Sequence, residues 1–410
     1  MLATIWTIAL HEARDQLASR RMGLAGLLCA LLTVASLSLL LGDYTVRKHG
    51  YDQRDQAGQT RAGKRPKLSA PPTPLSVLAR GLEMHNGRLL FITWSQPRRQ
   101  PGAVVMDQGD PNPLFEIFQA PDLVHIVQYI LSLLALLAAY DAICGERVRG
   151  TLALVFAGPL RRGVFIAGKA LGVLLGQVAI FLPICAVVVG WLALMPELGL
   201  AGEDWLRIGG VMVCSLLYMV IFVHMGLWAS ALFARPSSAL SLLLALWVGW
   251  GIGWCNLSLS MGRWLVPYPA VAEIEAQKSA LRQGDFEEYL DYAHACWAID
   301  DHYIAQVDGQ IALTQTLSRL SPLASYRYAT ATLSRTGVAD AQRFRDAVIR
   351  WDRQQRRVGY QWQDKIPFAY TSHSLADCWD RVWFDIGLLL LWDAFFFSAA
   401  LWVFLRRDIS

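Results

Sequence analysis

The stretch "GVFIAGKA", Gly163 to Ala170, fits the phosphate-cradling pattern G-x-x-x-x-G-K-[ST] at every position but the last. In that loop, backbone N–H groups and the lysine hold phosphates while a Ser or Thr hydroxyl ligates Mg²⁺. Ala170 has no hydroxyl, and the setting also differs from that of a phosphate loop. The preceding "FAGPLRR" reads as a turn rather than a buried strand, and Leu171 to Met195 is nearly uncharged. The string does not make this chain a nucleotide hydrolase, which leaves Lys169 to be explained by its surroundings.

Other catalytic patterns are equally incomplete. Proteolysis by a carboxylate pair needs two acids in one site. Tyr140-Asp141 supplies one, but the G-x-G-D that would supply the other survives only as "GIGW", Gly251 to Trp254. No H-E-x-x-H helix or G-x-S-x-G elbow is present. The stretch "HACWAIDDH" brings His294, Cys296, Asp301 and His302, with His373 and Cys378 later. These types suit a borderline metal, yet the spacing is not that of a zinc motif, and no metal is assigned. Cys296 and Cys378 are also the two cysteines in polar segments, able to pair if their side is oxidising and the fold brings them together.

Polar residues inside apolar runs are the stronger signal. Asp393 stands mid-run in "LLLLWDAFFF", with Asp385 two turns earlier on nearly the same face. A carboxylate at that depth is costly and faces protein or water. Two readings stand: contact with a cationic cargo, or a structural role in which Asp393 is protonated or hydrogen-bonds Asn256 or His224 on a neighbouring span. Trp247, Trp250 and Trp254 share a face among Gly249, Gly251 and Gly253, as packing or as a surface for an amphiphile. Asp393, Asp385, Asn256 and the three tryptophans form the candidate translocation path.

These residues require membrane helices to position them. The chain has 410 residues, 54% hydrophobic and 17% charged, with 16 Trp. That is too apolar for a soluble globular protein, and the formal charge of +4 is too dispersed for a nucleic-acid surface. Six runs approach the roughly 20 residues needed to cross a bilayer: 22–42, 122–143, 167–195, 207–233, 238–260 and 381–405. Arg147, Arg149, Arg161, Arg162 and Lys169 crowd the loop at 144–166 and its edge, and both chain ends are basic. The positive-inside rule therefore puts both termini and this loop in the cytoplasm, and the segments 43–121 and 261–380 outside. Arg98, Arg99 and the cluster from Lys64 to Lys67 are then translocated, as long loops permit. No cleavable signal peptide is expected at the start.

Residues 1–21 place Leu2, Ile5, Trp6, Ala9, Ala13 and Leu17 at helical spacing, as in an amphipathic helix lying in the membrane interface. "RKHGYDQRDQAGQTRAGKRPKLSAPPTP" reads as extended or mobile, and "NGRLLFITWSQPRR" as a short strand. The second outer segment reads as helical, with "VADAQRFRDAVIRWDRQQRRV" an amphipathic helix following a cap at Thr336 or Gly337.

The most informative stretch is "YDAICGERVRGTLALVFAGPLRRGVFIAGKALG". It resembles the second-span and loop signature of ABC-2 type transporter permeases, E-R-x-x-G-T-L, then P-x-x-R, then G-K opening the third span. The matching positions are Glu146, Arg147, Gly150, Thr151, Leu152, Pro159, Arg162, Gly168 and Lys169. The N-terminal helix with Glu12 and Arg20, and the six spans, resemble the same family. The insertion around "LSPLASYRYATATLSRTG" resembles its subgroup of NosY-related and gliding-motility permeases. The first outer segment carries hardly any of this resemblance.

The resemblance implies an all-α polytopic membrane protein with six transmembrane helices, an interface helix and a mainly helical outer domain. It implies a permease subunit, non-enzymatic itself, whose cytoplasmic loop docks on a separate ATP-binding subunit. Glu12, Arg20, Glu146, Arg147, Gly150, Thr151, Pro159, Arg162 and Lys169 are then the coupling residues. ATP and Mg²⁺ belong to that partner, with no cofactor in this chain. A second permease copy or homologue, the bacterial inner membrane and export are implied as well. On the residues alone, Gly150 and Pro159 shape a short interface helix, and Glu146 caps it or pairs with Arg149 or Arg162. A scaffold or force-transmitting subunit for outer partners is the alternative, and an intramembrane hydrolase a more remote one.

Overall fold

An apolar run in lipid must satisfy its own backbone hydrogen bonds, so each crosses as a helix. The computed structural model describes residues 1–60, 67–68, 70–82, 90–92, 104–106, 121–281, 289–358, 368 and 370–407. Among them, six helices are long and apolar enough to span a bilayer: Met22–Gln53, Leu123–Arg149, Arg162–Ala193, Gly202–Leu232, Pro236–Leu265 and Leu375–Arg406. The chain is an all-α polytopic membrane protein in its membrane part.

In chain order, α1 (Leu2–Ala18) precedes α2 (Arg20–Thr60), which contains the first span. The strands β1 (Lys67–Leu68), β2 (Leu90–Ile92) and β3 (Val104–Met106) form a small antiparallel sheet in that order, with Leu68 opposite Leu90 and Phe91 opposite Val105. The second span is α3 (123–139) and the one-turn α4 (Cys144–Arg149), and α5 (Thr151–Phe156) follows. Next come α6 (Arg162–Ala193), α7 (Gly202–Leu232) and α8 (Pro236–Leu265). The helices between the fifth and last spans, called the outer helices, are α9 (Val271–Leu281), α10 (Tyr289–Ser318), α11 (Pro322–Leu333) and α12 (Val338–Val358), and α13 (Leu375–Arg406) is the last span.

Side chains at the helix starts explain several boundaries. Asp122 accepts from the His125 N–H at 2.8 Å, Asp204 from Ala201 at 2.9 Å, Asp340 from Gly337 at 3.2 Å and Asp377 from Ser374 at 3.0 Å. Each satisfies donors that a helix start leaves open. Gly337 thus precedes α12, while the Thr336 hydroxyl donates to the Ala79 carbonyl at 2.9 Å.

Several expected boundaries move. α2 does not stop at 42 but continues to Thr60, so residues 47–60 are helical rather than extended. The polar residues after Gly42 support this: Arg47 lies 3.1 Å from Asp43 one turn back, and Lys48 donates to the Glu197 carbonyl at 2.6 Å. The third span begins at Arg162 rather than 167, and the loop at 144–166 holds two short helices instead of one. Gly150 breaks them with φ +76°, a conformation that suits glycine. Ile126–Leu131 and Trp247–Gly253 are π-helical, a local widening that apolar composition does not reveal. β2 coincides with part of the expected strand; Lys64, Arg98 and Arg99 lie outside the described residues.

α7 runs through the centre, burying Val211, Cys214, Tyr218, Phe222 and Leu227 against α3, α11 and α13. α2 turns Leu24, Leu27, Leu28 and Leu31 outward, and α8 does the same with Val248, Leu257 and Leu259. Such rows suit lipid or another membrane helix. α11 is seated among the spans: Tyr326 is fully buried, stacked on Tyr218 at 4.5 Å and 14°, with its hydroxyl 2.9 Å from that of Ser215. Cys296 and Cys378 are both buried free thiols and do not pair.

Candidate coupling surface and translocation path

Gly168, Gly172 and Gly176 recur every four residues along α6 and form a smooth stripe. α1 lies against it. A Cβ at 172 would stand 2.8 Å from the Ala9 carbonyl oxygen, and one at 168 would stand 2.8 Å from Ile8 Cβ. Only glycine permits that approach. It also brings Glu12 over Lys169, whose Nζ donates to Glu12 Oε2 at 2.6 Å and pairs with Glu146 on its other side. All three side chains are largely buried, Lys169 at 8% exposed. A cation removed from water is tolerable where carboxylates flank it. The phosphate-loop string is therefore an ordinary stretch of α6, with its lysine closed under α1.

Glu146 does not pair with Arg149 or Arg162, as its loop position suggested. α4 is a single turn that ends at Gly150, so Glu146 faces α6 while Arg149 is exposed. Arg162 instead reaches the last span, donating to the Leu405 and Arg407 carbonyls at 3.0 and 2.9 Å and closing the end of α13. Arg147 donates to the Phe233 carbonyl at 3.4 Å and Arg407 to Ala231 at 3.0 Å, both beyond or at the end of α7. The Ser230 hydroxyl accepts from the Ile143 and Cys144 N–H groups at 3.0 and 3.1 Å, tying the exit of α3 to α7. Thr151 donates to the Glu146 carbonyl at 3.2 Å across the Gly150 break. Pro159 is exposed in the following turn, and Arg20 is exposed at the start of α2. The structure thus brings together Glu12, Glu146 and Lys169, sets Gly150 and Thr151 beside them, and leaves Arg20 and Pro159 apart. On the outside of this knot, Val148 is 64% and Leu154 76% exposed, flanked by exposed Arg149 and Arg161.

The two carboxylates of α13 have different partners. Asp393 Oδ1 lies 2.6 Å from His224 Nδ1 on α7, with the imidazole also against Phe397. Of the two neighbours that sequence allowed, His224 is the one engaged; Asn256 instead lines a cavity at the outer end of α8. Asp385, 1% exposed, accepts from Arg319 Nε at 2.6 Å and Nη2 at 3.2 Å. Arg319 stands between α10 and α11, so this pair fastens the outer helices to the last span. The tryptophans also have partners within the fold. Trp247 donates to Ser132 at 3.1 Å, Trp250 to the Leu320 carbonyl at 3.1 Å and Trp254 to the Leu317 carbonyl at 2.9 Å, closing the end of α10. The nearby Gly249, Gly251 and Gly253 make no tight helix crossing; the close approaches are at the α6 stripe, at Gly226 against Ala139 of α3 and, later on α8, at Gly262 against Thr314 of α10.

A family model of ABC-2 family transporter proteins matches residues 6–409. The chain belongs to the ABC-2 transporter family. Among its relatives, a protein described as probable ABC transporter permease protein NosY from Pseudomonas aeruginosa is 36% identical over 126 residues, 30% of this chain and 46% of that protein. One of the same description from Stutzerimonas stutzeri is 35% identical over 133 residues, 30% of this chain and 45% of it. The match thus spans about half the length of these relatives. In an ABC-2 chain the knot around Lys169 belongs to a membrane-spanning subunit of an ABC transporter.

This ABC-2 protein also has a latch that sequence reading missed. Arg335, in the left-handed region at φ 58°, reaches Asp204 and Glu203 at 3.0 Å each. Fully buried Arg207 pairs with Glu203 at 2.8 Å and donates to the Leu333 and His373 carbonyls. His373 Nδ1 lies 2.8 Å from Asp340 Oδ1. That carboxylate, and then the Cys378 sulfur, hold the imidazole above its ordinary pKa despite burial. The glycine stripe was readable as two overlapping G-x-x-x-G steps. Within the latch, Glu203 and Arg207 are one helical turn apart, but the Arg335 contacts to Asp204 and Glu203 span 131 and 132 positions and had no local signal.

Proposed function

We propose that this chain is the permease subunit of an ATP-driven exporter, driven by a separate ATP-binding subunit that docks on α1, α4 and α5. The knot at Lys169 carries the reading. It joins α1, the α3–α4 exit and the start of α6 at one buried point, and the same short helix that supplies Glu146 also presents Val148 outward. Displacement of α4 by a partner is passed to α6 through the ion pairs and to α13 through Arg162. In this reading ATP and Mg²⁺ stay with the partner, the knot and both termini face the cytoplasm of a bacterial inner membrane, and a second copy or homologue completes the pathway. Asp393 and the α8 tryptophans line that pathway or brace it.

A force-transmitting role toward outer partners is the second reading. The depth at which α11 sits, with Tyr326 stacked on Tyr218, favours it: a movement of α7 would move the outer helices directly. Both readings need the same docking surface. A photo-reactive side chain placed at Leu154 in the full chain, co-expressed with candidate ATP-binding subunits, is expected to cross-link to one of them. Adducts to lipid alone, with every candidate subunit left unlabelled, would contradict the docking claim.

A further inference from the structure

Where the outer helices meet the membrane helices they leave a cavity of about 590 Å³. Its floor is Tyr129 of α3 and the outer half of α8 around Asn256, and its walls are the end of α10, α11 and the start of α12. That volume suits a small organic ligand. Three guanidinium groups line it: Arg319, Arg327 and Arg381. Arg319 already has its counter-charge in Asp385. Arg327 is exposed on α11 and Arg381 half-buried on α13, and among the described residues neither has a carboxylate within ion-pair distance. The side chains of Asn256, Ser258 and Gln315 add polar groups, while Leu259 and Leu323 make the wall apolar on the membrane side.

The cavity therefore carries two positive charges without counter-ions among the described residues, next to an apolar face at the depth where a span ends. Guanidinium forks recognise phosphate and carboxylate oxygens, with charge-assisted bonds about twice as strong as neutral ones. We infer that this cavity is a binding site for an anion whose phosphate or carboxylate group is held by Arg327 and Arg381, with α8 offering an apolar wall to any acyl chain the ligand carries. This chemistry is opposite in charge to the cationic cargo that Asp393 alone would suggest, and Asp393 is engaged elsewhere, with His224. The anion has two possible sources, a lipid headgroup entering from the outer leaflet or a soluble phosphate. The site stands on the cavity and its arginines, without reference to the ATP-binding partner.

The test uses the full chain in phosphatidylcholine nanodiscs, without nucleotide or partner. Calorimetric titrations with dihexanoyl phosphatidic acid, dihexanoyl phosphatidylcholine and inorganic phosphate are compared between wild type and Arg327→Gln, Arg381→Gln and the double variant. Melting curves of each variant establish that the fold is kept, and Arg14→Gln, exposed on α1, serves as the charge control. Phosphatidic acid is expected to bind wild type and the control alike, and to weaken by roughly tenfold or more in the double variant, as loss of bonds to charged groups implies. Phosphate binding as tightly as phosphatidic acid would assign the site to a soluble anion, and binding of phosphatidic acid alone to a lipid headgroup; either supports the inference. Equal affinity in wild type and double variant, or phosphatidylcholine binding as tightly as phosphatidic acid, would overturn it. Those failures would leave the coupling surface untouched.

Discussion

At the residue scale, Lys169 is the residue on which most depends. Its ammonium lies under α1 with Glu12 at 2.6 Å and Glu146 on the other side, and little of the three side chains reaches water. Burying such a cluster gains little net energy over an apolar equivalent, but removing one partner strands the others. Lys169→Met would leave two carboxylates facing each other in a poorly hydrated gap. We expect a loss on the order of 3–5 kcal/mol at this junction. Protease cleavage between α1 and α2 should accelerate in nanodiscs, and adding Glu146→Gln should recover part of the loss by removing one stranded charge. Cleavage unchanged in Lys169→Met would mean that the stripe packing alone holds α1. Among the acids of α13, Asp385 is fixed by a two-pronged Arg319, and Asp393 by a single contact to His224. The more loosely held Asp393 therefore has the greater capacity to exchange partners.

At the element scale, α11 and α12 couple the outer helices to the spans through the latch of Arg335, Arg207, Glu203 and Asp204, with His373 and Asp340 beside it. His373 has a raised pKa in the folded chain, so its charged pairing with Asp340 contributes stability fully below the unfolded value of about 6.5 and loses it as pH rises through the folded value. The outer helices of wild type should melt at higher temperature near about pH 5.5 than near about pH 8.5, and His373→Gln should flatten that difference. A pH slope unchanged in His373→Gln would place the titration elsewhere. The helices themselves were largely legible, because hydropathy over a span-length run is a local property. Their limits were less so. "RKHGYDQRDQ" has the composition of a loop but continues α2, and at its start Asp43 and the Glu197 carbonyl give Arg47 and Lys48 partners. The pairing of Arg319 with Asp385 joins positions 66 apart, and no periodicity could have announced it.

At the scale of the whole molecule, the chain has two anchored ends. On the side of both termini, α1, α4, the start of α6, the end of α7 and the end of α13 are cross-tied by Lys169, Arg162, Arg147 and Arg407. On the opposite side, Arg319, Arg335 and the α8 tryptophans fasten the outer helices. α7 and α13 run between the two, which allows a displacement at one end to be felt at the other. The family was legible from the spacing Glu146 to Lys169, because the residues that shape this knot lie in one continuous stretch. The arginine-lined cavity was not, because its walls come from α3, α8, α10, α11, α12 and α13. The most direct test of the central claim is nucleotide hydrolysis by a candidate ATP-binding subunit co-purified with this chain in nanodiscs, comparing wild type with Glu146→Ala, Arg162→Ala and a chain lacking α1. The account predicts a stable complex whose hydrolysis responds to the chain in wild type and loses that response in all three variants. Failure of every ATP-binding subunit to associate, or hydrolysis indifferent to the three changes, would contradict it.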